Sequence, residues 1–329
     1  MSGFDVDEVD TRSRTGTPAK TFTGAKRVDS EQLAKILQGV DIPEIVGSKE
    51  AFGNRMSVIS GLQLDELFKN EDYPEGGFPF TEMIVFTGLP NTGKTYLAAY
   101  IARLAAELSK MKVLWIATEP TGASQAPDIM RNKHLFDVVI PKDLEQLAAF
   151  VSTKLPEVAG VKYGAVVIDS ISEPCEDSEY MPPSGGDMSK PLKDRATLLR
   201  IIKETIRELQ ADIMDRKTSR KPFMIIMTAH LKSLVRPDAA RMEVTVLPEY
   251  RNGKLVSGYT LDGSLNNMFQ YLTTYTFIHV DSTSKVTVGD EVSEGKHVAT
   301  LIKVYPQKSR SCGRTEFRTF KISNKGVIR

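Results

Sequence analysis

The residues best suited to chemistry lie in one octamer, Gly88-Leu89-Pro90-Asn91-Thr92-Gly93-Lys94-Thr95. It fits the spacing G-x-x-x-x-G-K-[ST], with an apolar run before it and a helical pattern after it. Glycines let backbone N–H groups turn inward around phosphate oxygens, and the helix N-terminus that follows adds positive potential. In such a loop Lys94 reaches the β/γ-phosphates and Thr95 holds Mg²⁺, so Gly88 to Tyr96 is assigned to ATP. Asp169 ends the apolar run Ala165-Val-Val-Ile168, where a carboxylate can hold the Mg²⁺ water shell beside Thr95. Glu119 closes Trp115-Ile-Ala-Thr-Glu119, the next apolar run after the loop, and a carboxylate at that edge can orient and deprotonate an attacking water. His230 ends Met224-Ile-Ile-Met-Thr-Ala-His230, on a strand expected beside that of Asp169, where it is suited to sense the γ-phosphate. Lys308 and Arg310 stand two apart in a segment, residues 303–329, with eight Lys/Arg against one Glu, and make a candidate cationic pair for a neighbouring subunit's nucleotide.

These side chains need a scaffold that brings strand ends together. From Glu82 onward short apolar runs alternate with helical patterns, which predicts an α/β fold: a mostly parallel central sheet flanked by helices. The candidate strands are MIVFTG, KVLWIAT, FDVVI, GAVVIDS and PFMIIMTAH. Between the first two, Leu97, Ile101, Leu104 and Leu108 recur at helical spacing and define a helix over residues 94–108 that packs on the sheet. Later stretches, Tyr271 to Val280, Val298 to Tyr305 and Glu316 to Ile322, alternate like strands and predict an antiparallel C-terminal extension. Three polar stretches, Glu173 to Lys190, Lys232 to Ser264 and Asp281 to Lys296, read as long loops. Ahead of the core, residues 1–28 have the composition of a flexible arm, and residues 29–56 read as a short helical cap with Leu33, Ile36 and Leu37 on one face. Residues 57–329 then form the main domain.

Composition narrows the partners. Lys plus Arg (43) nearly balance Asp plus Glu (42), so a polyanion site must be a local patch. The acidic N-terminus lacks the apolar run of a signal peptide, and no stretch approaches the ~18 apolar residues of a membrane span, which together predict a cytoplasmic protein. Cys175 and Cys312 lie far apart without C-x-x-C pairing, against both a disulfide framework and a zinc knuckle.

The sequence resembles the RecA superfamily of P-loop ATPases over about residues 57–329. Ile59-Ser-Gly-Leu-Gln-Leu-Asp65-Glu-Leu-Phe, then Gly76-Gly-Phe-Pro, then the phosphate loop, looks like its RadA and KaiC-like branch. The end, Lys308-Ser-Arg310 through Phe320-Lys-Ile-Ser-Asn-Lys-Gly326, is similar to the closing hairpin of KaiC-like ATPases. The resemblance implies Lys94 and Thr95 as nucleotide and Mg²⁺ ligands, Asp169 as the Walker B acid, Glu119 as the catalytic glutamate and His230 as a polar sensor. It also implies Lys308 and Arg310 acting across a subunit interface of a homo-oligomer, ring or filament. Pro120 departs from the second acid common in KaiC-like proteins, and one ATPase core replaces their tandem pair.

The resemblance places DNA-binding loops after the Walker B strand and after the sensor strand. The first, Glu173 to Lys190, is acidic, which disfavours phosphate contacts. The second carries Lys232, Arg236, Arg241, Arg251 and Lys254 among Asp238, Glu243, Glu249 and Asp262. Leu261-Asp-Gly-Ser-Leu-Asn-Asn looks like phage-encoded RecA-like ATPases of single-strand annealing and recombination, and Phe22-Thr-Gly-Ala25 matches the F-x-x-A pattern that recombinase protomers insert into neighbours. The expectation is therefore an ATPase acting on single-stranded DNA. A KaiC-like assembly or signalling ATPase and a hexameric helicase motor are the alternatives.

Overall fold

The computed structural model describes residues 56–80, 82–119, 126–172, 189–214, 220–233, 245–252, 254–261, 265, 275–286, 299–308, 318–323 and 326–328. All fall within one compact unit, Phe52–Arg329. The arm, the helical cap up to residue 55, the acidic stretch 173–188, Phe22 to Ala25, Pro120, both cysteines, Arg236, Arg241 and Arg310 lie outside the described residues.

The chain opens with strands β1 (Ser57–Val58) and β2 (Phe78–Pro79), paired antiparallel. Between them a 3-10 turn, Gln63–Phe68, buries Leu64, Leu67 and Phe68. The buried carboxylate of Asp65 accepts hydrogen bonds from Ser60 N (2.9 Å), Ser60 Oγ (2.7 Å) and Gly61 N (2.8 Å). Gly76 sits at φ +79°, where a Cβ would lie 2.0 Å from the Asp65 carbonyl oxygen. Asp65 thus holds the chain entering its own turn, Gly77 N donates to Asp65 O at 3.0 Å, and Tyr100 Oη ties the motif to the first helix by donating to Ser60 O at 2.7 Å.

That helix, α1 (Lys94–Ser109), follows β3 (Met83–Gly88). Next come β4 (Lys112–Ala117), α2 (Pro127–Arg131), β5 (Phe136–Val139), α3 (Leu144–Thr153), α4 (Leu155–Val158), β6 (Tyr163–Asp169), α5 (Ser189–Met214) and β7 (Met224–His230). The remaining elements are β8 (Lys232–Ser233), β9 (Thr245–Arg251), β10 (Lys254–Thr260), β11 (Tyr275–Val286), β12 (Ala299–Lys308), β13 (Arg318–Ser323) and β14 (Gly326–Ile328).

The main sheet has the order β14-β13-β12-β11-β3-β7-β6-β4-β5. The five strands β3, β7, β6, β4 and β5 are all parallel, and β11 joins β3 in parallel through Tyr275 to His279. β12, β13 and β14 then add antiparallel. Strands covered on both faces read as continuous apolar runs, because alternate residues enter different cores. Ile84, Phe86, Trp115, Val167 and Ile226 meet α1, whereas Val85, Ile116, Ile168 and Met227 meet α3 and α5.

The sequence reading needs four corrections. Leu108 is 49% exposed, and α1 buries Ala98, Ala99, Ala102, Ala105 and Ala106 beside Leu97 and Ile101, small residues that suit a helix covered on several sides. Residues 232–264 are not simply a loop: β8, β9 and β10 form a separate antiparallel sheet ordered β8-β10-β9. β11 continues to Val286 through a segment read as loop, because it pairs with β12 beyond the end of β3. Ser189 and Lys190 begin α5, so that helix starts inside the first supposed loop, Glu173 to Lys190.

Candidate functional site

Parallel strands share one carboxyl edge, and in open α/β sheets ligands bind outside it. Four strand ends meet there and are tied together by backbone groups. Thr118 N and Glu119 N, just past β4, donate to Asp169 O at 3.0 and 3.3 Å. Ile171 N, just past β6, donates to Thr228 O at 3.0 Å, and Leu231 N, just past β7, donates to Gly88 O at 3.2 Å. His230 N donates to the buried Ser172 Oγ at 2.8 Å.

At the end of β3 the chain turns through Asn91 (φ 62°) and Gly93 (φ 92°) into α1. Gly93 caps α1 without a side-chain hydrogen bond, so the first helical N–H groups are not taken by a capping side chain. Thr92 Oγ1 donates to Leu89 O at 2.9 Å and tightens the loop. A Cβ on Gly93 would lie 2.6 Å from Ile322 Cδ1 and 3.7 Å from Ile302 Cδ1, so the C-terminal extension packs directly against this loop. Lys94 is 5% exposed, and its Nζ donates to Gly88 O (3.1 Å) and Leu89 O (2.8 Å). Burial pushes its ammonium down to about 8, against the pull of Glu119 and Asp169.

Thr95 and Asp169, 74 residues apart, meet directly: Thr95 Oγ1 donates to Asp169 Oδ1 at 3.2 Å. The same oxygen accepts from Thr228 Oγ1, whereas among the described residues Oδ2 is buried without a hydrogen-bond partner. Burial raises the Asp169 carboxyl to about 6; the Thr228 bond opposes this and the Glu119 charge adds to it. An orphaned carboxylate oxygen beside a threonine hydroxyl fits a divalent cation with its water shell, which would satisfy Oδ2 and favour the ionised form.

Glu119 Oε1 lies 2.7 Å from His230 Nε2, both side chains about three-quarters covered. Because β6 separates β4 from β7, this contact arches across the strand that carries Asp169. The His230 hydrogen bond holds the Glu119 carboxyl below its ordinary range against the opposing effect of burial; Ser170 and Lys94 add to the depression. The site therefore combines a loop whose helix N-terminus has no side-chain cap and could receive an anion, an acid and hydroxyl that fit a cation, and a carboxylate that could orient a water.

Lys94, Thr95, Asp169, Glu119 and His230 are thus brought together. Lys308 is not: Phe277 pairs with both Val85 and Lys308, which leaves the Lys308 backbone two strands from β3 and three residues below Gly88. That separation is about 14 Å from standard strand spacings. Lys232, Arg251 and Lys254 fall in the separate three-stranded sheet, where Arg251 and Lys254 pair directly in the β9–β10 register. Thr228 and Ser172 were missed by sequence reasoning, since a Thr inside an apolar strand and a Ser past a strand end carry no motif.

Fold and site define an α/β protein with a helix-flanked parallel sheet and a Gly-rich loop at its carboxyl edge. No protein-family model matches the chain, and no curated protein matches it. Among the described residues no helix is long and apolar enough to cross a membrane.

Proposed function

We propose that the chain is a RecA-like ATPase that binds ATP with Mg²⁺ at this carboxyl edge and hydrolyses it. In this reading it works as a cytoplasmic homo-oligomer with nucleotide between subunits, and acts on single-stranded DNA in recombination, annealing or repair. The observation that carries the reading is the meeting of the Thr95 hydroxyl and the Asp169 carboxylate across 74 residues, with Asp169 Oδ2 left free. Mg²⁺ held by Thr95 and Asp169 would neutralise charge on the β- and γ-phosphates. Lys94 supplies the positive charge at the end of the loop, exchanging two neutral carbonyls for phosphate oxygens. Glu119 orients the attacking water and takes its proton, while His230, bonded to Oε1, keeps the carboxylate ionised and aimed. Lys308 and Arg310 act on the neighbouring subunit's nucleotide, which agrees with the distance of Lys308 from its own loop.

DNA contact falls to the β9–β10 hairpin. Its turn brings Arg251 and Lys254 into one cross-strand pair, and only Leu231 separates His230 from β8 of the same sheet. A KaiC-like ATPase without DNA is the second reading, favoured by the acidity of Glu173 to Lys190.

The test is ATP turnover by wild type, Lys94→Ala and Glu119→Gln, with and without single-stranded DNA. Expected are loss of nucleotide binding in Lys94→Ala, and retained binding with turnover reduced on the order of 10²–10⁴-fold in Glu119→Gln. Wild-type turnover should rise with DNA. Undiminished turnover in Glu119→Gln refutes the hydrolytic assignment, and turnover indifferent to DNA moves the protein to the second reading.

A further inference from the structure

We infer that Thr228 is a positioning residue for the divalent cation: its hydroxyl, with that of Thr95, occupies Oδ1 of Asp169 and leaves Oδ2 as the oxygen turned to the cation shell. The inference rests on the Mg²⁺ site proposed above. β6 and β7 run side by side in parallel with Ile168 opposite Met227, so the next residues, Asp169 and Thr228, are neighbours at the strand ends. Both are buried, and Thr228 Oγ1 donates to Asp169 Oδ1.

The donor is fixed on every side. Thr228 is β-branched and therefore stiff at χ1. Its backbone is held by Phe86 in the β3 ladder and by Ile171 N, which donates to Thr228 O at 3.0 Å. Thr95 also donates to Oδ1, from the first turn of α1, so the two hydroxyls grip one oxygen from a strand and from a helix. A carboxylate gripped at one oxygen cannot rotate freely, and Oδ2 stays buried without a partner. A hydroxyl oxygen that ligates a cation must send its proton elsewhere, and Oδ1 accepts the proton of Thr95. Thr228 then supplies what Thr95 alone cannot: a second donor, outside the cation shell, that sets the carboxylate plane.

The experiment is a Mg²⁺ titration of the binding of a fluorescent ADP analogue to the full chain, with a parallel measurement in EDTA. Thr228→Val removes the hydroxyl at nearly constant volume. The Mg²⁺ concentration at half-maximal effect should rise on the order of tenfold, as for other groups that orient metal ligands. Affinity in EDTA should be unchanged, and Thr228→Ser should restore most of the Mg²⁺ response. A loss of affinity equal with and without Mg²⁺ overturns the inference in favour of a structural role, and so does a Val variant indistinguishable from wild type. If Thr228→Val fails to unfold cooperatively, Thr228→Ala is read by the same criteria; failure of both to fold also overturns it. A wild type that binds the analogue without any response to Mg²⁺ removes the cation site itself, an outcome distinct from a Mg²⁺-responsive wild type with unaffected variants.

Discussion

Gly93→Ala tests whether the Gly88–Thr95 loop owes its shape to the C-terminal extension. Two costs are legible in the geometry. At φ 92° an L side chain is strained, by about 1–2 kcal/mol. The new Cβ would also lie 2.6 Å from Ile322 Cδ1, against about 3.5–4 Å for relaxed carbon contact. Ile322 is buried and Ile302 stands behind it, so relief requires repacking, which typically costs about 1–3 kcal/mol. The expected loss is therefore about 2–5 kcal/mol by urea unfolding at neutral pH.

The two costs separate in a double-mutant cycle. Ile322→Val deletes the offending Cδ1 and by itself loses about 1 kcal/mol. In Gly93→Ala/Ile322→Val the clash disappears and only the backbone strain remains, so the double variant should be less destabilised than the sum of the singles by at least ~1 kcal/mol. Additivity within about 0.5 kcal/mol would refute the direct contact between loop and extension. Gly76→Ala is the control, because its Cβ would meet the Asp65 carbonyl oxygen at 2.0 Å and no side-chain trimming relieves a backbone clash.

Two further outcomes follow from the site and the hairpin. His230→Ala removes the hydrogen bond that most depresses the Glu119 carboxyl, so Glu119 protonates at higher pH and the acid limb of the turnover profile moves upward; a profile that stays in place excludes His230 as the residue holding that carboxylate ionised. Arg251→Ala/Lys254→Ala should weaken single-stranded DNA binding and lower the slope of log affinity against log salt by roughly two contacts' worth; an unchanged slope removes the hairpin tip from the interface.

The loop and its helix were legible because the chemistry of phosphate binding dictates a local spacing, Gly88 to Thr95, and the flanking runs are apolar throughout. The strands were legible for a related reason: with both faces covered, Ile84, Val85 and Phe86 are all buried, so each run stands out. Of the strand order, only the placing of the His230 strand beside the Asp169 strand was expected, and it holds; the rest was not legible, since nothing in a run says which neighbour it takes. The Glu119–His230 contact spans 111 residues and depends on that order. Thr228 was hidden because one hydroxyl in an apolar strand looks like ordinary β propensity. The β9–β10 hairpin does carry a signal, Asn252-Gly253 between two β-rich runs, although Pro248 within the first run is a residue uncommon inside strands. Asp65 illustrates the converse: a residue quoted for resemblance binds the backbone of Ser60 and Gly61, just ahead of its own turn.

The same strand order sets which bonds link the end of β3 to the other strand ends. Backbone bonds run without a gap from Glu119 N to Asp169 O, from Ile171 N to Thr228 O, and from Leu231 N to Gly88 O, so the four strand ends form one stiff rim. Above this rim the Glu119–His230 contact is made by side chains alone and crosses β6. It can open without breaking any of the backbone bonds beneath it. A ligand that draws His230 away would therefore free Glu119 while leaving Asp169 in place. Because His230 is followed within two residues by β8, its displacement would act on the sheet that carries Arg251 and Lys254. On the proposed reading, a stiff rim with one movable arch would let hydrolysis and the hairpin respond to the same event while Asp169 keeps its backbone bonds.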